Sequence, residues 1–302
     1  MFEDLLSRRG ISFDRLRALV DVAQAGSIAK AANGDANRQS QYSRQLKELE
    51  GFFGAELTER QGKHLKLTPS GLRLAQIARE ALHGLSDFDA ETQHRPITVT
   101  VGAGDSLLQW LLLPRLGALQ AKLPRTRILL RNCRTRDIAS GLTDLTLDLG
   151  LIRETGLSAR LKRTRLIKLD YSIFVSKNLL PGKNDAGFRW IMENVPLAVQ
   201  ATTGSFENAF EDEAEHVSIK LNIRLGCESF PQACKAVLSG AYAAILPTIA
   251  ADELDAANYA RFPVPFLKAQ ERMICLAWNP RLVSTRPDFE KIIACFAALL
   301  AK

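Results

Sequence analysis

The sequence lacks a long apolar run and lacks paired cysteines. No stretch approaches the roughly 20 consecutive apolar residues that a membrane-spanning helix needs, so no membrane partner is expected. None of the five cysteines forms a Cys-x-x-Cys pair or has a histidine at metal spacing, which argues against a zinc site. Their expected role is that of small buried hydrophobic residues. They are Cys133, Cys227, Cys234, Cys275 and Cys295.

The sequence also lacks a recognisable catalytic pair. No serine or cysteine nucleophile is predicted to lie beside a histidine, so we predict a non-enzyme with no catalytic residue and no cofactor. The glycine turn at residues 102–104 carries too little of a nucleotide-binding pattern to indicate one. Residues 1–6 are acidic and too short in apolar character for a signal peptide, so we expect a cytoplasmic protein. The histidines are His64, His83, His94 and His216.

The net charge of +7 favours a nucleic-acid partner but does not identify the part of the chain that contacts it. In residues 1–68 the acids nearly balance the bases, so the placement of individual basic side chains is better evidence than the total. With 302 residues, 46% of them hydrophobic, the chain is long enough to bury more than one core.

Three helices are predicted in the first 53 residues. Apolar residues recur at helical spacing in residues 13–25, Gly26 is predicted to end that helix, and Ser27 to cap the next. The second helix is rich in alanine, which lets another helix approach closely. After a turn, Asn37 is predicted to cap the third helix. The buried stripe of that helix is predicted to be Tyr42, Leu46, Leu49 and Phe53.

The outer face of the third helix carries hydrogen-bonding side chains of the types that read DNA. Glutamine pairs with adenine edges, arginine with guanine, and serine with phosphate. For one helix alone, a merely soluble polar face would explain the same residues. Residues 57–68, however, then predict a hairpin wing with a basic tip, suited to phosphate or minor-groove contact. The predicted DNA-contacting residues are Ser27, Arg38, Gln39, Gln41, Ser43, Arg44, Lys47, Arg60, Lys63 and Lys66.

The combined pattern resembles the LysR-type transcriptional regulators, without a gap from Leu16 to the helix that begins near Pro69. Asp35 and Asn37 stand where that family usually has apolar residues, so we expect capping rather than burial to hold the helix-turn-helix corner. The operator sequence is therefore not carried over from other members. The resemblance rests on Gly26-Ser27, Ser43-Arg44-Gln45, Leu49-Glu50, Gly54, Arg60 and Leu67-Thr68-Pro69-Ser70-Gly71.

A long helix is predicted after the wing, over residues 69–90, with more apolar positions than one monomeric face can bury. The resemblance implies that it pairs antiparallel with its copy in a homodimer, which would set two recognition helices on an inverted repeat in double-stranded DNA. The alternative is that it packs only on its own winged domain. Residues 93–96 are polar, end in proline and are predicted to be a hinge.

From residue 97 strands and helices alternate, which predicts a parallel α/β sheet and then a second lobe. The resemblance implies a two-lobed, periplasmic-binding-protein-like α/β effector domain, and a second pairing of these domains into a tetramer. The predicted fold is thus α/β, with an N-terminal winged helix-turn-helix (residues 1–68), a linker helix (69–92) and an effector-binding domain (93–302). Lobe I is expected at residues 97–167 and 270–302, and lobe II at 168–269.

Ligands of such sheets lie at the carboxyl ends of the strands, where helix N-termini offer free amides. Asp105 and Glu228 favour an effector with a neutral or cationic group, unless Arg131 or Arg134 offsets them or these acids only cap helices. The predicted effector-binding residues are Asp105, Ser106, Asn132, Thr202, Thr203, Glu228, Ser229 and Pro247.

The sequence therefore predicts a sequence-specific DNA-binding transcriptional regulator, modulated by an unidentified small-molecule effector in the cleft between the lobes. RNA polymerase is a candidate further partner. One alternative is a small-molecule binding or sensor protein with no sequence-specific DNA role. The other is an enzyme with a nucleic-acid-binding appendage, which would need a catalytic pair that the sequence does not offer.

Overall fold

A winged N-terminal unit, a long helix and two α/β lobes follow one another in the computed structural model. The structure describes residues 3–8, 10–61, 64–181, 187–200, 205–286 and 288–301. The core of the winged unit is a single apolar cluster centred on Leu19, Leu46 and Leu49, each no more than 1% exposed. Its elements are α1 (Glu3–Leu6), α2 (Phe13–Ala25), α3 (Ile28–Ala31), α4 (Ala36–Phe53), β1 (Thr58–Gln61) and β2 (His64–Leu67).

Local capping sets the ends of these helices. Gly26 ends α2 with a left-handed φ of 77°, and the Ser27 hydroxyl accepts the Lys30 N–H at the start of α3, so both predictions are confirmed. The prediction that Asn37 caps α4 is wrong. The Asp35 carboxylate takes that place and accepts the Asn37 N–H at 2.8 Å, because the helix begins earlier in the chain than expected.

The buried stripe of α4 contains Phe52 rather than the predicted Phe53. Phe52 is 4% exposed, whereas Phe53 is half-buried. The N-terminal segment decides between these neighbours. Gly10 lies over the Phe52 ring, and the Arg8 guanidinium donates to the Phe52 carbonyl at 3.4 Å. Helical periodicity alone allows either phenylalanine, so only the covering segment determines which one is buried.

The linker helix α5 (Pro69–Thr92) begins after Thr68, whose hydroxyl accepts the Gly71 N–H at 3.0 Å. One side of α5 packs along α2 and buries Ala75 and Ala78. Four large apolar side chains of α5 remain exposed, and three of them share a different side of the helix. The helix therefore does pack on its own winged unit, yet that contact leaves an apolar stripe uncovered. The stripe consists of Ile77, Leu85 and Phe88, and Leu72 is exposed on the opposite side of the helix.

Two five-stranded sheets follow the linker helix, and the last strand returns to the first sheet. The elements of lobe I are β3 (Ile97–Ala103), α6 (Asp105–Leu107), α7 (Leu116–Lys122), β4 (Thr126–Asn132), α8 (Thr135–Thr143), β5 (Leu149–Arg153) and β6 (Lys162–Leu169). Those of lobe II are β7 (Tyr171–Ser176), α9 (Phe188–Asn194), β8 (Leu197–Gln200), α10 (Ser205–His216), β9 (Ile223–Cys227), α11 (Phe230–Leu238), β10 (Ala243–Pro247) and β11 (Tyr259–Pro263). Lobe I is completed by β12 (Arg272–Trp278), α12 (Arg281–Thr285) and α13 (Phe289–Leu300).

The strand order is β4-β3-β5-β12-β6 in lobe I and β11-β7-β10-β8-β9 in lobe II. The predicted parallel pairing is confirmed for β4, β3 and β5. In lobe II, β10, β8 and β9 are also parallel to one another. Strand β12 runs antiparallel to both β5 and β6. The reversal arises because the chain leaves lobe I through β6 and returns through β12, at the same end of the sheet. This end therefore faces lobe II.

A buried ion network joins α5 to lobe I. The Arg286 guanidinium, 2% exposed on its side chain, donates to both carboxylate oxygens of Asp87 on α5 and to Asp148 Oδ1 at 2.7 Å. Its Nη2 also donates to the Thr98 carbonyl at 2.9 Å. Burial lowers the pKa of the neighbouring His83, which favours the neutral imidazole. The C-terminal half of the linker helix is thus fixed to lobe I by paired charges.

Candidate nucleic-acid interface and interlobe cleft

The outward face of α4 forms a shallow groove. Gln39, Ser43 and Lys47 follow one another at four-residue spacing, so a straight helix sets them on one face. Four predicted contact residues meet in this groove, together with Ser40 and Glu48, which the prediction left out. The lining residues are Ala36, Gln39, Ser40, Ser43, Arg44, Lys47 and Glu48.

Glu48 is the acidic member of the groove and is held by two arginines. Arg44 Nε donates to Glu48 Oε1 at 3.2 Å, and Arg15 on α2 donates to Glu48 Oε2. These partners lower the pKa of Glu48, with the hydrogen bond from Arg44 as the largest cause. Arg44 keeps 83% of its side chain exposed, so its remaining donors face outward and are free to meet a base edge.

The other predicted residues of this region are placed differently. Arg38 and Gln41 are exposed on α4 but do not line the groove. Ser27 is only 4% exposed and uses its hydroxyl to cap α3, so it lies apart from the exposed face. On the wing, Arg60 and Lys66 are exposed and, since side chains alternate along strands, lie on opposite faces of the hairpin. Lys63 lies outside the described residues.

The base of the wing is attached to α4 by Glu50, which was not among the contact residues predicted from the sequence. Its Oε1 accepts the Leu57 N–H, the Thr58 N–H and the Thr58 hydroxyl, each at 2.9 Å. The carboxylate therefore fixes the wing relative to the recognition helix. The only signal in the sequence was the Leu49-Glu50 pair in the family pattern, which gives no hint of the contact.

The predicted effector residues gather at the carboxyl ends of the strands in both lobes. In lobe I, Ala103 is in register with Asn132, which brings Asp105 and Ser106 to the same edge as Asn132. In lobe II, Glu228 and Ser229 follow β9, and Pro247 ends β10. Thr202 and Thr203 lie outside the described residues.

Neither acid at this edge caps a helix with its side chain. Gly104 is the N-cap residue before Asp105, and the Ser229 hydroxyl, not Glu228, caps α11 by accepting the Gln232 N–H at 3.4 Å. The alternative that Asp105 and Glu228 serve only as caps therefore lacks support. Neither carboxylate is thus committed to a helix N-terminus.

A carboxylate from lobe II bridges the two lobes, and sequence reasoning missed it. Glu253 Oε2 accepts from Trp110 Nε1 of lobe I at 2.8 Å, and its Oε1 accepts from Lys235 Nζ at 2.6 Å. Burial raises the pKa of Glu253, but the hydrogen bonds from Lys235 and Trp110 outweigh it, so the pKa lies below its usual value. The bridge is thus charged at neutral pH and holds the lobes together.

Tyr171 lies at the crossing between the lobes, in register with Pro247 of β10 and 5.8 Å from the Phe230 ring. Burial raises the pKa of Tyr171, whereas the charges of Arg153 and Arg272 lower it. Two guanidinium groups therefore lie close enough to act on Tyr171, and their charge is opposite in sign to that of Asp105 and Glu228. The prediction of a neutral or cationic effector stays a prediction.

Four of the five cysteines have raised thiol pKa values. Burial raises the pKa of Cys234 to about 12, and it also raises those of Cys133, Cys227 and Cys275. A raised pKa keeps the thiol protonated and unreactive at neutral pH. Among the described residues, no three His, Cys, Asp or Glu side chains are grouped closely enough to hold a metal ion. No helix in that part of the chain is long and apolar enough to cross a membrane.

Two family models match the chain and together cover most of it. Residues 13–72 match the bacterial regulatory helix-turn-helix protein model of the lysR family, and residues 93–299 match the LysR substrate binding domain. The alignment to the uncharacterized HTH-type transcriptional regulator YhjC of Escherichia coli is 29% identical over 155 residues and covers 49% of this chain. It spans 52%, about half, of that relative's length. A protein named as a probable nitrogen assimilation transcriptional activator of Synechococcus elongatus is 25% identical over 245 residues, covering 78% of this chain and 79% of its own.

Solved structures share the fold along nearly the whole chain. CbnR, described as a LysR family transcriptional regulator, is 18% identical with a TM-score of 0.58 and covers 97% of this chain and 100% of its own. Full-length OxyR from Pseudomonas aeruginosa is 19% identical with a TM-score of 0.61, and the match covers 98% of this chain and 99% of that one. A structure of CbnR with its target DNA gives a TM-score of 0.56 at 20% identity, and the match covers 96% of this chain and 99% of that one. At these identities the likeness establishes the fold alone.

Proposed function

The chain belongs to the LysR family of bacterial helix-turn-helix regulators, and we propose that it is a sequence-specific DNA-binding transcriptional regulator. The observation that carries this proposal is the α4 groove, where Gln39, Ser43, Arg44 and Lys47 share one exposed face. Amide, hydroxyl and guanidinium groups at helical spacing suit base edges and phosphates in a major groove. The wing, fixed by Glu50, supplies a second contact through Arg60 and Lys66.

Selection of bound sequences from random duplex DNA by the purified full chain tests this function. We expect an inverted-repeat motif, and we expect Arg44→Ala to weaken binding to that motif by roughly 10-fold to 100-fold, since one arginine contact to a base contributes about 1–3 kcal/mol. Arg73→Ala is the matched control, because Arg73 is an exposed arginine on α5, away from the groove. Its affinity should stay within about twofold of the parent.

Each outcome of the selection has a distinct meaning. Enrichment of one motif by the parent, lost in Arg44→Ala and kept in Arg73→Ala, supports the regulator. A motif that both variants bind equally would remove Arg44 from the contact set. No enrichment at all would count against the regulator and would favour the small-molecule sensor without a sequence-specific DNA role.

We also propose that the apolar stripe of α5 is covered by the same stripe of a second copy. Ile77, Leu85 and Phe88 are spaced by eight and three residues, which sets them on one face of the helix, and they are 48–66% exposed. Antiparallel pairing of two such stripes would make the dimer and separate two recognition helices.

A second pairing through the effector domains would give a tetramer. In support, β4 exposes Arg127 and Leu129, while α10 exposes acidic side chains of opposite charge.

Phe88→Asp is expected to break the pairing through α5, because each pair would then bury two carboxylates among apolar side chains with no partner. Size-exclusion chromatography with light scattering should show the assembly reduced by this pairing, from a tetramer to the dimer held by the effector domains, or from a dimer to a monomer. Ser86→Asp is the control, since it adds the same charge to an exposed position off the stripe. The control should keep the mass of the parent assembly. A parent that is monomeric at micromolar concentration would contradict this assembly outright.

The effector is proposed to lie in the interlobe cleft, between Ser106 and Asn132 of lobe I and Ser229 and Pro247 of lobe II. Its binding would change how the lobes close and thus the spacing of winged units on DNA. A thermal-shift screen with organic acids, amines and amino acids would find its chemical class, and stabilisation by simple carboxylates alone would reject a cationic group. The proposal includes no cofactor and no enzymatic reaction. It includes RNA polymerase as a further partner and, since the partner is chromosomal DNA, the cytoplasm as the location.

A further inference from the structure

The C-terminal end of α8 is capped by side chains from outside that helix. The last carbonyls of a helix have no partner within it and need others. Asn279 Nδ2 donates to the carbonyls of Leu142 and Thr143 at 3.2 and 3.4 Å. Gln76 Nε2, from the linker helix, donates to the Thr143 carbonyl at 2.8 Å. The end of a lobe I helix thus relies on donors from α5 and from the loop after β12.

Arg79, one turn beyond Gln76 on α5, joins three parts of the molecule. Its Nη1 donates to the Asp144 carbonyl at the end of α8, and its Nη2 donates to the Val20 carbonyl of α2 at 3.4 Å. The residue is 6% exposed. Burial lowers the pKa of Arg79, with the charges of Asp144 and Asp21 acting in the opposite direction, and an arginine remains cationic in proteins. One buried guanidinium therefore contacts the winged unit, the linker helix and lobe I.

The other end of α8 lies at the rim of the interlobe cleft. The helix begins at Thr135, just after the carboxyl end of β4, where the Cys133 N–H donates to the Ala103 carbonyl at 2.9 Å. Asp105 and Ser106 closely follow Ala103 along the chain. With nine residues, α8 spans about 13 Å between this rim and Arg79.

Helix α8 packs closely against its sheet. A Cβ on Gly150 of β5 would lie 2.5 Å from Ile138 Cγ2 and 3.0 Å from Leu142 Cδ1. A Cβ on Gly141 of α8 would lie 2.9 Å from Leu147. Glycine at these points lets the helix lie directly on the sheet, and interiors packed so closely transmit displacement rather than absorb it.

We propose that Arg79 is a positioning residue, which fixes the orientation of the winged unit relative to lobe I. It does so at the C-terminal end of α8, the helix whose other end lies beside the predicted effector-binding residues. Arg286 already holds the C-terminal half of α5 to lobe I, and Arg79 adds hydrogen bonds from α5 to both α2 and the end of α8. Any effect of Arg79 on DNA binding rests on the proposed function, whereas its role in positioning the winged unit does not require DNA.

Distance distributions between the winged unit and lobe I test this role in the full chain. Spin labels on non-natural amino acids at the exposed Gln24 and Lys122 report the two units, with a large excess of unlabelled chain to suppress distances between copies. Arg79→Met should at least double the width of the distribution, because the guanidinium hydrogen bonds that join α2 to the end of α8 are lost. Amide exchange in residues 135–147 should become roughly tenfold faster, as expected when a charged hydrogen bond at the helix end is lost.

Two further variants separate positioning from simple stability. Arg79→Lys keeps one charged donor for the Asp144 carbonyl but not the planar fork that reaches two carbonyls, so it should restore slow exchange in α8 without narrowing the distance distribution. Arg73→Met, at an exposed arginine of the same helix, should change neither readout. An unchanged distribution in Arg79→Met would overturn the proposal, as would a broad one that Arg79→Lys narrows fully. Because no DNA is present, failure here is distinct from failure of the selection experiment.

Discussion

Replacement of Arg286 by methionine is expected to lower the free energy of unfolding of the effector domain by about 3–5 kcal/mol, because removal of one partner leaves buried carboxylates unpaired. Asp148 is 3% exposed and would lose its 2.7 Å hydrogen bond from the guanidinium. Asp87 would lose two hydrogen bonds from the same group. Urea unfolding followed by tryptophan fluorescence measures the loss, since Trp110 and Trp278 lie in lobe I.

The control is Arg281→Met, a nearby arginine whose pair with Glu80 is 2.7 Å long but leaves 54% of the arginine side chain exposed. Exposed pairs contribute about 0–1 kcal/mol, so this variant should lose little. If Arg281→Met and Arg286→Met lost equal stability, the buried network would not be the cause. A double variant that adds Asp148→Asn should recover part of the loss, since the unpaired charge is gone.

The loss in Arg286→Met should shrink as the pH falls. Burial raises the pKa of Asp148, while Arg286, the Thr100 N–H and His83 lower it and Asp87 raises it. Without Arg286 the folded-state pKa rises further above the unfolded one. A carboxyl with a raised folded pKa favours folding fully below its unfolded pKa, and this contribution is lost as pH rises through the folded pKa. The variant should therefore approach the parent in acid and differ most at neutral pH.

Gly71→Ala is expected to destabilise the winged unit by about 3 kcal/mol, at the upper end for overpacking, because the added methyl meets backbone rather than a movable side chain. A Cβ on Gly71 would lie 2.2 Å from the Leu57 carbonyl oxygen and 3.1 Å from its carbon. That carbonyl also accepts the Thr68 N–H at 3.0 Å, at the base of the wing. Faster amide exchange throughout residues 36–67 and weaker binding to the selected DNA would show the effect.

Gly51→Ala is the matched test of opposite sign. Gly51 is also helical, in α4, but it is exposed, and a Cβ added there would have no neighbouring atom within 4 Å. Alanine there should stabilise the helix by about 0.5–1 kcal/mol, since glycine loses more backbone freedom on folding. Destabilisation by both substitutions would mean that helix geometry, and not the contact with Leu57, governs position 71.

The local parts of the molecule could be predicted from the sequence. Ser27 and Gly26 determine helix ends through bonds to residues three or four positions away, so their roles follow from the order of residues. The alternation of strands and helices from residue 97 also predicted α/β lobes, because each strand and helix shows its own short period in the sequence. The choice of Asp35 over Asn37 shows the limit, because both are good caps and the helix start decides between them.

The sequence by itself determined the family pattern, four of the groove residues of α4 and the chain order of the elements, because these depend on spacing of a few positions. Only the tertiary structure decided which charges are buried together. Arg286 meets Asp87 across 199 positions, Glu253 meets Trp110 across 143, and Arg79 meets Val20 across 59. No local period links such residues. A buried charge is stable only beside its partner, and the partner is set by how the sheets and the linker helix pack.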